Sequence, residues 1–387
     1  MQRKILFSIL TLALIPFFYN ACSQSSNTAP NSANKVPVDD PSATPDFSKL
    51  TPTCFVPETN NPIIRLGSFF SDSLWNDPHV IKVENQFIMY ATADTIGRLP
   101  LPVHYEENIK IYRLVSTDAK NWTLSPSIAV FERPTDPMAW DGKSTETPSV
   151  VFFKGQYHMF YTGYANQKDP VGYKIGHAAS TDGISWTRRP GALISPTNPT
   201  AGPSCNAGIT ECDFMQYVVG EPGAVVFNEK IYLYFMAQGV VPAEGRHANA
   251  IALTTSTDGV TWGTPQKVLA PDRSIYPFAT WRGYSTPNAV VLNNQVHLFF
   301  DVVYDTTGFM FSQEKIHHAF SVDGISDWTT DGTALFDRSQ FSWSDYGING
   351  PSVLQDGKNL YIWFGGQGNV SAFPNMNFGI AMATCRL

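Results

Sequence analysis

Residues 146–162, Glu146-Thr147-Pro148-Ser149-Val150-Val151-Phe152-Phe153-Lys154-Gly155-Gln156-Tyr157-His158-Met159-Phe160-Tyr161-Thr162, decide the fold. A proline closes a turn, a short apolar run follows, Lys154-Gly155 reverses the chain, and a β-prone run returns, which is the pattern of a hairpin. The same arrangement opens at Asn76-Asp77-Pro78-His79-Val80, Gly220-Glu221-Pro222-Gly223-Ala224, Ser285-Thr286-Pro287-Asn288-Ala289 and Asn349-Gly350-Pro351-Ser352-Val353. The reversals there fall at Glu84-Asn85, Asn228-Glu229, Asn293-Asn294 and Asp356-Gly357. The five prolines stand 64 to 74 residues apart, a period that means repeated units.

A second signature follows in four copies: Ser116-Thr117-Asp118 to Trp122, Ser180-Thr181-Asp182-Gly183 to Trp186, Ser256-Thr257-Asp258-Gly259 to Trp262, and Ser321-Val322-Asp323-Gly324 to Trp328. Asp-Gly is a turn dipeptide, so each unit carries a second hairpin, and the tryptophan is read as packing between neighbours. Four antiparallel strands repeated five times predict an all-β fold, a five-bladed β-propeller of four-stranded antiparallel blades over residues 54–387, closed so that no edge is left open. First strands would line a central channel, with the proline loops and the ends of second strands around one mouth. The prolines are expected to start the first strands.

The N-terminus reads as an address. Gln2-Arg3-Lys4 precedes an apolar run from Ile5 to Tyr19, too short for a membrane span and normal for a secretory signal. Asn20-Ala21-Cys22 resembles a bacterial lipobox, so residues 1–21 are expected to be a lipoprotein signal peptide and Cys22 the lipidation site, with the alternative of a cut that leaves Cys22 free. Residues 22–53, rich in Ser, Asn, Pro and Asp, read as a disordered tether that holds the folded part to the membrane of the bacterial envelope, at the outer membrane or cell surface. Of the other four cysteines, three pairings are open. Cys205 and Cys212 are close enough to staple a loop, which leaves Cys54 to meet Cys385 across a closed ring, with a stabilisation of ~5 kcal/mol on chain-entropy grounds. A formal charge of −7 and the lack of a basic run exclude nucleic acid as a partner, and a monomer is expected.

Aligning the copies sorts the acids. Asp77 and Glu221 directly precede the prolines of units one and three; Glu146 lies one residue further out in unit two, with Asp141 in the same loop. Asp301 is read as ending the second strand of unit four, in Leu298-Phe299-Phe300-Asp301, where the other copies have Thr92, Thr162, Met236 and Gly365. These five are the candidate catalytic residues, against the plain alternative that an acid before proline caps a turn. Trp75, Trp140, Trp281 and Trp343 precede four of the prolines and are candidate sugar-stacking residues, or else a cover for the hydrophobic rim. His317-His318 reads as core or surface, since the pair faces both sides of a strand. No metal is assigned; a central-channel calcium is left open, with His79 or His297 as ligands.

The string Leu74-Trp75-Asn76-Asp77-Pro78 resembles the Trp-x-Asn-Asp-Pro motif of glycoside hydrolase family 32, and the hairpin plus Asp-Gly-x-x-Trp unit is similar to the wider five-bladed glycosidases, including family 43. The resemblance covers about residues 60–387. It implies a glycoside hydrolase acting on oligosaccharide or polysaccharide, with Asp77 as nucleophile or general base and Glu221 as general acid. The chain departs from those families in unit two, where Thr147 and Ser149 flank the proline and leave Asp141, Glu146 or Asp301 as the third acid. That departure keeps a second expectation in play, a non-catalytic surface propeller that binds glycans or proteins. A six-bladed sialidase-like reading fits less well, for the Asp turns are one residue short and no arginine triad is evident.

Overall fold

The computed structural model describes residues 45–71, 73–94, 109–165, 173–197, 213–241, 246–277, 280–304, 312–368 and 377–387. Strand β1 (Val56–Pro57) comes first and pairs last. Blade one is β2 (Leu74–Val83), β3 (Gln86–Asp94), β4 (Ile109–Ser116) and β5 (Thr123–Leu124). Blade two is β6 (Ser144–Phe153), β7 (Gln156–Tyr164), β8 (Lys174–Ser180) and β9 (Thr187–Arg188). Blade three is β10 (Val218–Phe227), β11 (Lys230–Val241), β12 (Arg246–Ser256) and β13 (Gln266–Leu269). Blade four runs β14 (Trp281–Leu292), β15 (Gln295–Tyr304) and β16 (Ser312–Ser321), with β17 (Thr329–Thr330) and β18 (Phe336–Asp337) sharing the outer edge. Blade five is β19 (Gly347–Asp356), β20 (Asn359–Gly368) and β21 (Asn377–Arg386), and its outer strand is β1, Val56 pairing with Thr384. The five-bladed propeller expected from the repeats is therefore what the chain forms.

Closure is visible in the five large cores, each of which bridges two neighbouring blades. Tyr90 of blade one packs with Met159 and Tyr161 of blade two, Phe160 with Val219 and Leu233 of blade three, and Tyr234 with Leu298 and Phe300 of blade four. Phe299 then packs with Ile348 and Phe364 of blade five, and Trp363 of blade five with Trp75 and Met89 of blade one. The Asp-turn tryptophans are the wedges, as expected. Trp186 meets Tyr90, Trp262 meets Phe160, Trp328 meets Tyr234, and Trp122 meets Trp363, each in an edge-to-face contact at 5.3–6.1 Å. Blade five has no such turn, and Phe55, just before β1, fills the place against Phe299 at 6.3 Å. A fully buried aromatic such as Trp363 removes roughly 150–250 Å² from water, on the order of 4–6 kcal/mol before entropy is charged.

The Cys54–Cys385 disulfide fastens the two chain ends, with Cα atoms 5.0 Å apart. The other expected pair, Cys205 and Cys212, lies outside the described residues, as do Cys22 and the signal 1–21. The tether expected over 22–53 is shorter than read. Phe47 and Leu50, around a short 3-10 turn (Phe47–Lys49), pack partly buried against the blade-five core, because two apolar side chains three residues apart share one face of that turn.

The prolines are not at strand starts. Each lies inside the first strand of its blade, at a bulge where the ladder shifts register: between Asn76 and His79, Glu146 and Ser149, Gly220 and Gly223, Ser285 and Asn288, and Asn349 and Ser352. Proline lacks an N–H, so an interior strand accepts it only where the ladder is already interrupted. The residue before it takes a positive φ in every blade: Asp77 47°, Thr147 52°, Glu221 53°, Thr286 42° and Gly350 58°. For a side-chain-bearing residue, above all a β-branched one, this costs on the order of 1–3 kcal/mol.

Candidate active site

The bulge explains why the pre-proline residue matters. An extra residue in one strand re-aims its side chain, and five equivalent bulges surround one axis. The next blade's bulge is anchored by the residue opposite the position before it. Thr92 Oγ1 accepts the N–H of Thr147 at 2.9 Å, Thr162 Oγ1 accepts that of Glu221 at 2.8 Å, and Asp301 Oδ2 accepts that of Gly350 at 3.1 Å. Asp301 thus does in blade four what a threonine hydroxyl does in blades one and two. It sits in the interior of β15, not at its end, and is fully buried, its Oδ1 without a partner.

Four of the five candidate acids meet in one electrostatic cluster. Asp77 Oδ1 accepts from Asn76 Nδ2 at 2.9 Å and, more weakly, from Asn349 Nδ2 at 3.4 Å. Burial, reinforced by the Glu221 charge and opposed by a hydrogen bond from Thr92, pushes Asp77 up to about 7. Glu221 Oε2 accepts from Ser285 Oγ, and from Thr286 N and Oγ1 at 3.1 Å each. Burial raises its pKa and those hydrogen bonds hold it back. Glu146 Oε1 accepts from the Tyr164 hydroxyl at 2.7 Å. Burial and then the charges of Asp77 and Glu221 raise it well above the usual carboxylate range. Asp301 is raised well above that range as well, first by burial and then by Glu221. Asp301 is fully buried and Asp77, Glu146 and Glu221 are half-buried, and carboxyls gathered this closely resist ionising together, so the cluster keeps protons to higher pH than free carboxylates do.

Beside Asp77 and Glu146 lies a cavity of about 50 Å³, walled also by Thr92, Phe378 and a further buried acid, Asp94. Asn76, Asn349, Ser285 and Thr286 escaped the sequence reading, although the repeat alignment held the signal. They occupy the two positions ahead of the proline in blades one, five and four. Tyr164 and Phe378 carry no such mark; only folding brings them in.

The remaining candidates are placed elsewhere. Asp141 is buried, but its Oδ2 is engaged by Arg188 Nη1 at 2.6 Å and the Tyr161 hydroxyl at 2.8 Å, so it belongs to an ion pair inside blade two. Trp75 is not in a loop: it lies in β2, 0% exposed, enclosed by Phe69, Phe70 and Tyr112, its Nε1 donating to Ser68 O at 3.0 Å. It presents no face to a sugar. Its position directly before Asn76 also leaves the likeness to the family 32 motif to Asn76-Asp77-Pro78. Trp140 stacks on Tyr161 and covers Gly163, where a Cβ would meet its ring at 2.7 Å; Trp281 opens β14 between Tyr276 and Tyr304. Neither reaches the recess. Trp343, half-buried before β19, covers Gly366 and lines a neighbouring cleft.

His79 does face the channel, where Nε2 lies 2.9 Å from Val150 O and Nδ1 lies 3.4 Å from Asn288 Nδ2; burial lowers it to about 4. His297 does not. It stacks on His318 within blade four, Nδ1 to Nε2 2.9 Å, because its position in β15 points into the sheet stack. His317 points the other way, to the Tyr276 hydroxyl at 2.6 Å. Among the described residues no three His, Cys, Asp or Glu side chains are arranged to hold a metal ion.

No family model matches the sequence, and neither does any curated protein. Solved structures do match in fold. A thermostable family-43 glycoside hydrolase is 15% identical, covering 84% of this chain and 90% of its own with a TM-score of 0.57. A glycosyl hydrolase from Bacteroides ovatus is 14% identical over 85% of this chain and 92% of its own, TM-score 0.57. The native arabinanase of Bacillus subtilis is 16% identical over 80% of this chain and 94% of its own, TM-score 0.51. The fold is thus that of family-43-type propellers.

Proposed function

We propose that the chain is a glycoside hydrolase acting on oligosaccharide or polysaccharide at the cell surface, with Asp77 and Glu221 as the working pair. The observation that carries the reading is the convergence of Asp77 and Glu221, at matched strained bulges of blades one and three, on a recess where their pKa values are raised. Glycoside cleavage needs a protonated carboxyl to give its hydrogen to the leaving oxygen and an ionised one on the far side of the anomeric carbon. Ser285 and Thr286 occupy Oε2 of Glu221, which leaves Oε1 to carry the proton to the glycosidic oxygen. The C–O bond breaks as that proton arrives. Asp77 then either attacks the anomeric carbon or takes a proton from the water that does. Glu146 is the third acid of this scheme, in the blade whose pre-proline position holds Thr147, and it lies close enough to Asp77 and Glu221 for their charges to raise its own pKa.

The test is hydrolysis of a glycan panel by wild type, Asp77→Ala and Glu221→Ala. Loss of at least about a hundredfold in kcat for each variant is expected. Unchanged hydrolysis of every active substrate would sink the reading. Thr147 favours a second reading, a propeller that binds glycans without cutting them; binding on a glycan array with no cleavage on long incubation would select it. Attachment through a lipid on Cys22 belongs to the same proposal, and Cys22→Ala should move the protein from the membrane fraction to the soluble one.

A further inference from the structure

Where the segment between β1 and β2 runs along β21 of blade five, the surface opens into a cleft of about 540 Å³. Phe378 lines both this cleft and the carboxylate recess, so the two are neighbours with one ring between them. Its other walls include Trp343, Asn61 and Arg65. The segment after β1 builds this wall by following β21: Ile64 bridges to Ile380, and Asn61 exchanges hydrogen bonds with Met382 at 2.8 and 2.9 Å. Arg65 is exposed, yet its guanidinium is held in place, Nε donating to Pro62 O at 3.1 Å and Nη2 to Asn60 O at 3.0 Å. It has no carboxylate partner among the described residues. Fixing a cation by backbone carbonyls removes much of the entropy cost of binding an anion and leaves Nη1 free to donate.

We propose that this cleft is a distal subsite for an acidic sugar, a uronate residue of the glycan, with Arg65 bonding its carboxylate and Trp343 packing on its ring. The reading rests on the proposed glycosidase function, since only the Phe378 ring stands between the cleft and the recess where cleavage would occur. Asp345 also lines the cleft and sets a requirement of its own: an anion binds only at the Arg65 side. The mere alternative is that Arg65 staples its own turn.

Isothermal titration of the full chain carrying Glu221→Gln, with tetragalacturonate and with its methyl ester as probes, separates these. The acid should bind at least about tenfold more tightly than the ester, as one charge-assisted hydrogen-bonded contact implies, and the gap should shrink with added salt. Arg65→Met should bring the acid to the level of the ester at an unchanged melting temperature, Arg65→Lys should retain part of the preference, and Trp343→Ala should weaken both probes. Equal binding of the two probes, no binding of either, or a preference that survives Arg65→Met overturns the proposal. The hydrolase reading is judged apart, by the dependence of hydrolysis of neutral glycans on Asp77 and Glu221. Hydrolysis without acid preference removes the subsite alone; acid preference without hydrolysis removes the enzyme alone.

Discussion

Replacing Asp77 by asparagine should abolish activity and, at neutral pH, make the protein more stable. Folding carries the Asp77 carboxyl from 3.8 to about 7, so the folded state prefers the protonated form. Below the unfolded value both states hold the proton and nothing is lost. As pH rises from 3.8 through about 7 the unfolded chain ionises first, and stability falls; above 7 the full cost is present. Three pKa units at 1.36 kcal/mol each give ~4 kcal/mol, which the partial exposure of Asp77 reduces to about 2–4. Asparagine never ionises, and its Oδ1 still accepts from Asn76 Nδ2. With unfolding entropy near 2.1 cal/mol/K per residue, a unit of about 340 residues converts this to a rise of about 3–6 °C in Tm at pH 8 and close to none at pH 4. Calorimetry of wild type and Asp77→Asn at both pH values is the assay. A Tm difference that is the same at both, or a loss of stability at pH 8, would refute a desolvated, proton-holding Asp77.

Two further outcomes test the frame around the site. Cys54→Ser with Cys385→Ala opens a cross-link spanning a sequence separation of 331, worth about 5–6 kcal/mol on chain entropy, so Tm should drop by about 8 °C in a thermal melt; a drop under about 2 °C would mean that β1 and Phe55 close the ring unaided. Asp301→Ala should be less stable than Asp301→Thr by about 1–3 kcal/mol in urea at pH 7, because both variants remove the buried carboxyl but only threonine, which accepts the next blade's N–H from the equivalent position in blades one and two, keeps a partner for Gly350 N–H; equal midpoints for the two would remove the anchoring role.

The architecture was legible because symmetry repeats a local signal: five prolines, five reversals and four Asp turns each state one strand pair, and only closure satisfies their edges. The acids were legible for the same reason, as departures from a pattern. The backbone at those positions was not. A residue before proline is ordinarily extended, and nothing in Asp77-Pro78 or Thr147-Pro148 announces a positive φ; the bulge arises from tertiary ladders on both sides. Tryptophan misled where proximity to the mouth in sequence was taken for proximity in space. Trp75 sits in a strand, and strand alternation turned its ring into the core between blades five and one. Asp141 misled because its partner, Arg188, comes 47 residues later at the outer edge of the blade.

The bulge before each proline is a socket made five times, and the sockets hold different things: two acids, two threonines and a glycine. The neighbouring ladder and the anchor from the preceding blade shape the socket, so its contents can be exchanged without the ring having to fold anew. Chemistry in such a molecule evolves by single replacements at a handful of addresses while the scaffold drifts, which is how chains 15% identical keep one outline. It also means that a propeller of this kind can gain or lose a reaction and leave no trace in its silhouette, and a family of them is better sorted by what fills the five sockets than by overall likeness.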